Sequence, residues 1–151
     1  LLHGIWSATR TQVIELEQVP DTSVWWPPTT PGGGERMAGV LVAAFQAPLS
    51  FVNADQFKRG LRDLIDAGGE RVKLVVLEAS NIVEIDYTAA QALIETIDHC
   101  RKTGAIFAIA RMESLRAQAA LARFGIAEMV GPQRIFHSVD AAIKALGPDR
   151  Q

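Results

Sequence analysis

From Val40 onward, the chain alternates four times between a short apolar run and a longer segment whose apolar residues recur every three or four positions. The short runs are typical of buried strands, and the longer spacing is typical of helices with one buried face. Strands that alternate with helices are joined by right-handed crossovers, so this order predicts one largely parallel sheet covered by helices. The predicted strands are 40–45, 73–77 with a continuation to Ile85, 105–110 and about 134–137, and the predicted helices start at Asn53, Ala89, near Ser114 and near Val139.

The segment before Val40 has a different pattern. Residues 12–19 alternate apolar and polar side chains, which predicts an edge strand with one face in water. Residues 27–38 are rich in Pro and Gly and are expected to form an exposed loop. The fold class is therefore α/β, a single domain over 12–147 with a mixed, mostly parallel sheet of about five strands and four to five helices.

Composition limits the classes of function. A chain of 151 residues with 48% hydrophobic residues fits one globular domain. The net charge of −2 and the scattered Lys and Arg residues argue against nucleic acid as a partner. The one cysteine cannot form an internal disulfide, no Cys/His spacing indicates a metal site, and no apolar run reaches the ~18 residues that span a bilayer.

Residues with catalytic potential have simpler structural explanations. The sequence has no nucleophile-elbow, dinucleotide or phosphate-loop motif, and Gly32-Gly33-Gly34 leads into Glu35 rather than a helix. Cys100 falls on the apolar face of its helix, and His99 is expected to pair with Glu95 in solvent. The Trp25-Trp26 pair predicts either a docking surface or a ring that packs back on the domain. We therefore expect no enzymatic activity.

The segment Ile85-Asp86-Tyr87-Thr88 lies where a predicted strand meets a predicted helix. Helix N-termini carry unpaired N–H groups and partial positive charge. Thr88 with Gln91 matches a capping box, as Asn53 with Gln56 does, and Asp86 adds favourable charge ahead of the helix. The alternative is functional: Thr88 could accept a phosphate, or Asn53, Asp86 and Thr88 could bind a nucleotide or anion at the sheet's carboxyl edge.

Several separated motifs resemble the STAS domain at the cytoplasmic C-terminus of SulP-type anion transporters. The resemblance extends from about Val13 to Leu146. The motifs are Gly39-Val40-Leu41-Val42, Ala47-Pro48-Leu49-Ser50-Phe51-Val52-Asn53-Ala54, Val75-Val76-Leu77-Glu78-Ala79, Ile85-Asp86-Tyr87-Thr88-Ala89, Gly104-Ala105 and Ile135-Phe136-His137-Ser138-Val139-Asp140-Ala141-Ala142.

This resemblance implies a non-catalytic cytoplasmic domain of an inner- or plasma-membrane transporter of sulfate, bicarbonate or a related anion. Residues 1–11 would be a linker or remnant after a transmembrane region, and 148–151 a tail. The implied partners are the transporter's membrane domain, a second transporter protomer and regulatory proteins or a kinase. The alternative is a free-standing antagonist of an anti-sigma factor, with Thr88 as phosphate acceptor, although Tyr87 and Ala89 differ from that pattern. No cofactor is expected, and the alternative that the resemblance suggests is binding of GTP or ATP.

Overall fold

The computed structural model describes residues 12–28 and 33–148. Within these ranges the chain forms seven strands and five α-helices. The strands are β1 (Val13–Glu15), β2 (Glu17–Gln18), β3 (Trp25–Trp26), β4 (Val40–Phe45), β5 (Leu74–Glu78), β6 (Ile106–Ala110) and β7 (Ile135–Phe136). The helices are α1 (Ala54–Gly68), α2 (Tyr87–Lys102), α3 (Leu115–Arg123), α4 (Ile126–Val130) and α5 (Val139–Leu146).

The sheet has the predicted topology. In the part of the chain described, five strands hydrogen-bond in the order β1-β4-β5-β6-β7. β1 is the antiparallel edge strand, with Val13 opposite Phe45, and the other neighbours are parallel. This sheet and its helices confirm the predicted mixed α/β fold.

Helices cover both faces of the sheet, but unequally. The larger core lies under α1–α4 and includes Phe57 of α1 and Leu93 of α2. The Phe57 ring meets the ring of Phe45 edge to face, with centroids 5.3 Å apart. On the other face, α5 packs Val139 and Ala142 against alternate strand residues. The helical stripes predicted for α1, α2 and α5 therefore do face the sheet.

The predicted continuation of the second strand to Ile85 is wrong. β5 ends at Glu78, and the Ile82 N–H donates to the Ala79 carbonyl in a turn (3.0 Å). Residues 79–86 form a loop in which Ile82 and Ile85 are buried. These apolar residues resembled a strand in sequence because their side chains fill the core below the loop. Side chains can be buried in this way without the hydrogen-bonded pairing of a β-strand.

The predicted strand 12–19 is divided at Leu16. Val13–Glu15 pair with β4, whereas Glu17–Gln18 pair with β3 in a separate two-stranded ribbon. Glu17 was expected in water but is 8% exposed. Its carboxylate lies 3.6 Å from the Arg36 guanidinium, across from Gly34. Part of the predicted loop, residues 29–32, and the segment 1–11 lie outside the described residues.

The segment after α3 contains a helix that periodicity did not predict. Gly125 adopts a positive φ of 75°, which ends α3 and redirects the chain into the five-residue α4. Such a short helix provides too few positions for a periodic pattern. Its Ile126 and Val130 complete the larger core.

Candidate functional site

The carboxyl end of the sheet brings the predicted site residues close together. The loops that follow β4 and β5 lead into α1 and α2 at this end, and Leu49 and Ile85 form a bridge between the two loops. Asn53 belongs to the first loop, and Asp86 and Thr88 belong to the second loop and the helix after it. A parallel sheet places all these groups on one edge, as predicted.

Asp86 is the N-cap of α2. The Ala89 N–H donates to Asp86 Oδ1 (2.8 Å), and the Phe51 N–H, from the neighbouring loop, donates to Asp86 Oδ2 (2.7 Å). One carboxylate therefore caps a helix and joins two loops. The capping box predicted for Thr88 is wrong, because the helix begins earlier, at Tyr87.

Asn53 occupies the N-cap position of α1 but makes no side-chain cap. The Ser50 N–H donates to Asn53 Oδ1 (2.9 Å), and Asn53 Nδ2 donates to the Pro48 carbonyl (2.7 Å). The side chain thus holds the loop before the helix, and the predicted capping box with Gln56 is absent. Local sequence could not distinguish these two uses of an asparagine.

Thr88 lies in the first turn of α2, with its side chain exposed. Neighbouring Tyr87 is also exposed, and its ring meets the Phe124 ring edge to face at 6.1 Å. The Arg123 guanidinium lies over the Phe124 ring, 4.9 Å from its centroid. The Thr88 hydroxyl is therefore reachable from solvent beside an aromatic surface.

An apolar surface surrounds this helix start, and sequence analysis missed it. Five side chains between 49% and 79% exposed lie on three neighbouring segments. The Phe51–Asp86 hydrogen bond joins the first two segments, and Ser114 Oγ donates to the Val83 carbonyl (2.6 Å) to join the third. We call this surface the carboxyl-end patch, and its members are Phe51, Val52, Val83, Tyr87 and Leu115.

The remaining large exposed apolar side chains of the described ranges lie on the β2–β3 ribbon. They are Val19, Val24 and Trp26. Trp25, by contrast, packs against the smaller core, and its buried Nε1 has no hydrogen-bond partner among residues 12–28 and 33–148. Trp25 therefore packs back on the domain, which is one of the two alternatives, whereas a docking role for the exposed Trp26 stays a prediction.

The other candidate groups have structural roles. Burial raises the pKa of the Cys100 thiol to about 11, and nearby Arg101 lowers it only in part. The thiol is thus a core group, as predicted. The expected His99–Glu95 pair is wrong, since His99 pairs with Asp66 of α1 (2.7 Å) and Glu95 pairs with Lys58 (2.9 Å). Side chains four residues apart were available, but the neighbouring helix offered better partners.

This open α/β sheet, with a capped helix start at its carboxyl edge, places the chain among single-domain α/β modules. The STAS domain family model matches residues 35–142. The chain therefore belongs to the STAS domain family. In the described ranges, no helix is both long enough and apolar enough to cross a membrane.

Similar proteins include transporters whose chains are much longer than this one. A probable sulfate transporter of Mycobacterium tuberculosis is 34% identical over 116 residues, covering 74% of this chain and 20% of the relative. The murine Slc26a9 anion transporter has a TM-score of 0.80 and 21% identity, covering 96% of this chain and 24% of that one. An anti-sigma factor antagonist from Mycobacterium paratuberculosis has a TM-score of 0.60 and 15% identity, covering 76% and 91%. The chain thus spans about a fifth of the length of the curated relative.

Proposed function

We propose that this chain is the cytoplasmic STAS domain of a SulP-type transporter of sulfate or a related anion. Its role would be to regulate or assemble the transporter through protein contacts, without catalysis of its own. Family membership and the similar sulfate transporter support this proposal. The partners would be the membrane domain of the same polypeptide and a second transporter protomer.

The carboxyl-end patch is the observation that carries the proposal. Large contiguous apolar surfaces are uncommon on monomeric proteins and mark interaction sites. The patch is held in place by two inter-segment hydrogen bonds, from Phe51 to Asp86 and from Ser114 to Val83. An interface therefore needs little further ordering of the loops, which lowers the entropic cost of docking.

The reading frame upstream of Leu1 provides the first test. We expect it to encode several apolar segments of ~20 residues each, as membrane helices require. An independent start codon close to Leu1, with no such segments before it, would refute the transporter proposal.

Crosslinking in the full-length gene product tests the contact. A photoreactive side chain at Phe51 or Tyr87 should crosslink to the membrane domain or to a second protomer. The matched control is Glu70, which is exposed near the amino ends of the parallel strands. Crosslinks from Glu70 but not from Phe51 or Tyr87 would place the contact at the amino end of the sheet and refute the carboxyl-end patch as the interface.

Regulation by phosphorylation of Thr88 is a second candidate function. Its support is the exposed hydroxyl in the first turn of α2, where helix N–H groups favour negative charge. Incubation with a cognate kinase and ATP should add one phosphate to the wild type and none to Thr88→Ala. An equal mass shift in both proteins would exclude this residue as the acceptor.

Nucleotide binding at Asn53, Asp86 and Thr88 has less support. Both side-chain oxygens of Asp86 accept backbone hydrogen bonds, and the Asn53 amide uses its oxygen and nitrogen within the loop. A nucleotide would have to replace these contacts or use Thr88 alone. Titration with GTP or ATP, followed by the amide NMR signals of residues 86–89, tests this function directly.

A further inference from the structure

A cleft of about 550 Å³ opens beside the carboxyl ends of β6 and β7 and is lined in part by residues 111–113, which precede Leu115 of the carboxyl-end patch. Its floor is apolar and includes Met112, Leu121, Ile135 and Phe136. Arg111 and Glu113 lie at its rim. A cleft of this size is within the range of small-molecule sites, which combine apolar walls with a few polar groups.

Arg111 has an unusual backbone at this cleft. Its φ is +59°, a conformation that L-residues with long side chains rarely adopt. The Arg111 N–H donates to the Phe136 carbonyl (3.0 Å), which extends the pairing of β6 with β7 beyond the strand end. Backbone strain of this kind is concentrated at binding and catalytic sites, where it fixes the direction of a side chain.

The guanidinium of Arg111 contacts a carboxylate on each of two sides, and the first of these contacts is long. Its Nη1 lies 3.6 Å from Oε1 of the buried Glu78. On the other side, Nε (3.3 Å) and Nη2 (3.1 Å) both approach the same oxygen, Oε1 of Glu113. Only one carboxylate oxygen of Glu113 therefore accepts from the planar guanidinium, which offers two parallel N–H groups on this edge like the prongs of a fork. A bidentate carboxylate would match that fork better.

Displacement of Glu113 should also be easy. Its side chain is 62% exposed and the Arg111 side chain is 48% exposed, and ion pairs at such exposure contribute little to stability. The buried Glu78 would keep its contact with Nη1, and the displaced Glu113 carboxylate would be solvated by water at its exposed position. The adjoining apolar floor would then receive the rest of the ligand.

We propose that this cleft binds a small organic acid. Its carboxylate would replace Glu113 on the Nε/Nη2 edge of Arg111, and its aliphatic or aromatic body would cover Met112, Ile135 and Phe136. The cleft is next to the proposed docking surface in the fold, but binding of the acid does not depend on docking at that surface.

Titration of the 151-residue chain with benzoate and hexanoate, followed by amide NMR, tests the proposal. We expect shifts at Arg111, Phe136 and His137, with a Kd of about 1 mM, typical of a small ligand held by one ion pair and an apolar wall. Acetate lacks the apolar body and benzyl alcohol lacks the charge, so each should bind at least about tenfold more weakly. No shifts at these amides up to about 50 mM benzoate would overturn the proposal.

Two substitutions test the exchange of carboxylates. Glycine tolerates the positive φ, so Arg111→Gly removes the guanidinium without imposing backbone strain and should raise the Kd at least about tenfold. Glu113→Gln removes the competing charge and should lower the Kd about threefold. Arg62→Gln, on the exposed face of α1, is the matched control and should leave the Kd unchanged. Equal binding by wild type and Arg111→Gly, or weaker binding by Glu113→Gln, would refute the exchange.

Discussion

Replacement of Asp86 by alanine should destabilise the domain more than replacement of Thr88. Asp86→Ala removes the cap on the Ala89 N–H and the hydrogen bond from the Phe51 N–H. Thr88→Ala removes an exposed hydroxyl that lies beyond the cap position. The two variants therefore distinguish the cap seen in the structure from the one that the Thr-x-x-Gln pattern predicts.

The expected loss for Asp86→Ala is about 2 kcal/mol. Loss of an N-cap costs about 1 kcal/mol. The hydrogen bond from Phe51 is charge-assisted but lies at the surface, so about 1 kcal/mol is a suitable discounted value. Asp86→Asn retains an oxygen for the cap but loses the second acceptor, so it should cost about 1 kcal/mol. Thr88→Ala should change the free energy of unfolding by less than about 0.5 kcal/mol.

Urea denaturation followed by far-ultraviolet circular dichroism measures these differences. With an m-value of about 2 kcal/mol/M, Asp86→Ala should lower the midpoint by about 1 M, whereas Thr88→Ala should leave it nearly unchanged. A larger loss for Thr88→Ala than for Asp86→Ala would refute this assignment of the cap. A change in m-value would instead indicate an altered unfolded or native ensemble.

Three further predictions concern the core. The raised pKa of Cys100 keeps the folded thiol neutral while the unfolded thiol ionises, so stability falls as pH rises from 9.0 to about 11. The loss should total about 2–3 kcal/mol, and Cys100→Ala should lack this component of the pH dependence in matched urea titrations. Trp25→Ala should cost about 2–3 kcal/mol and Trp26→Ala less than about 0.5 kcal/mol in the same assay, because only the first ring packs on the core. Phe57→Ala should lower the free energy of unfolding by about 3–5 kcal/mol in thermal or urea unfolding. A smaller loss would show that Phe45 and its neighbours move to fill the space, so that no cavity remains.

The alternation of strands and helices was predictable because burial imposes a period on the sequence. Phe57 and Leu61 recur at helical spacing, and both are fully buried below α1. The beginning of α2 was less predictable. Asp86-x-x-Ala89 and Thr88-x-x-Gln91 are both acceptable helix starts, and the choice depends on Phe51, a residue 35 positions away whose N–H also needs an acceptor.

The carboxyl-end patch could not be predicted from local pattern, because its members come from three separate segments. Phe51 precedes α1, Val83 lies in the loop after β5, and Leu115 begins α3. Each is an ordinary apolar residue in sequence and could equally fill a core. Only the folded arrangement shows that these side chains remain in water, while nearby Ile82 and Ile85 are buried.

The two proposals for this surface are physically linked. Thr88 is adjacent to Tyr87, one of the exposed side chains of the carboxyl-end patch. A phosphate on Thr88 would place about two negative charges beside that apolar surface, close to the Asp86 carboxylate. Burial of the patch against a partner would then require desolvation of the phosphate, which is costly without a paired cation. Phosphorylation would therefore favour release of an apolar partner, whereas a partner that presents arginine would be retained.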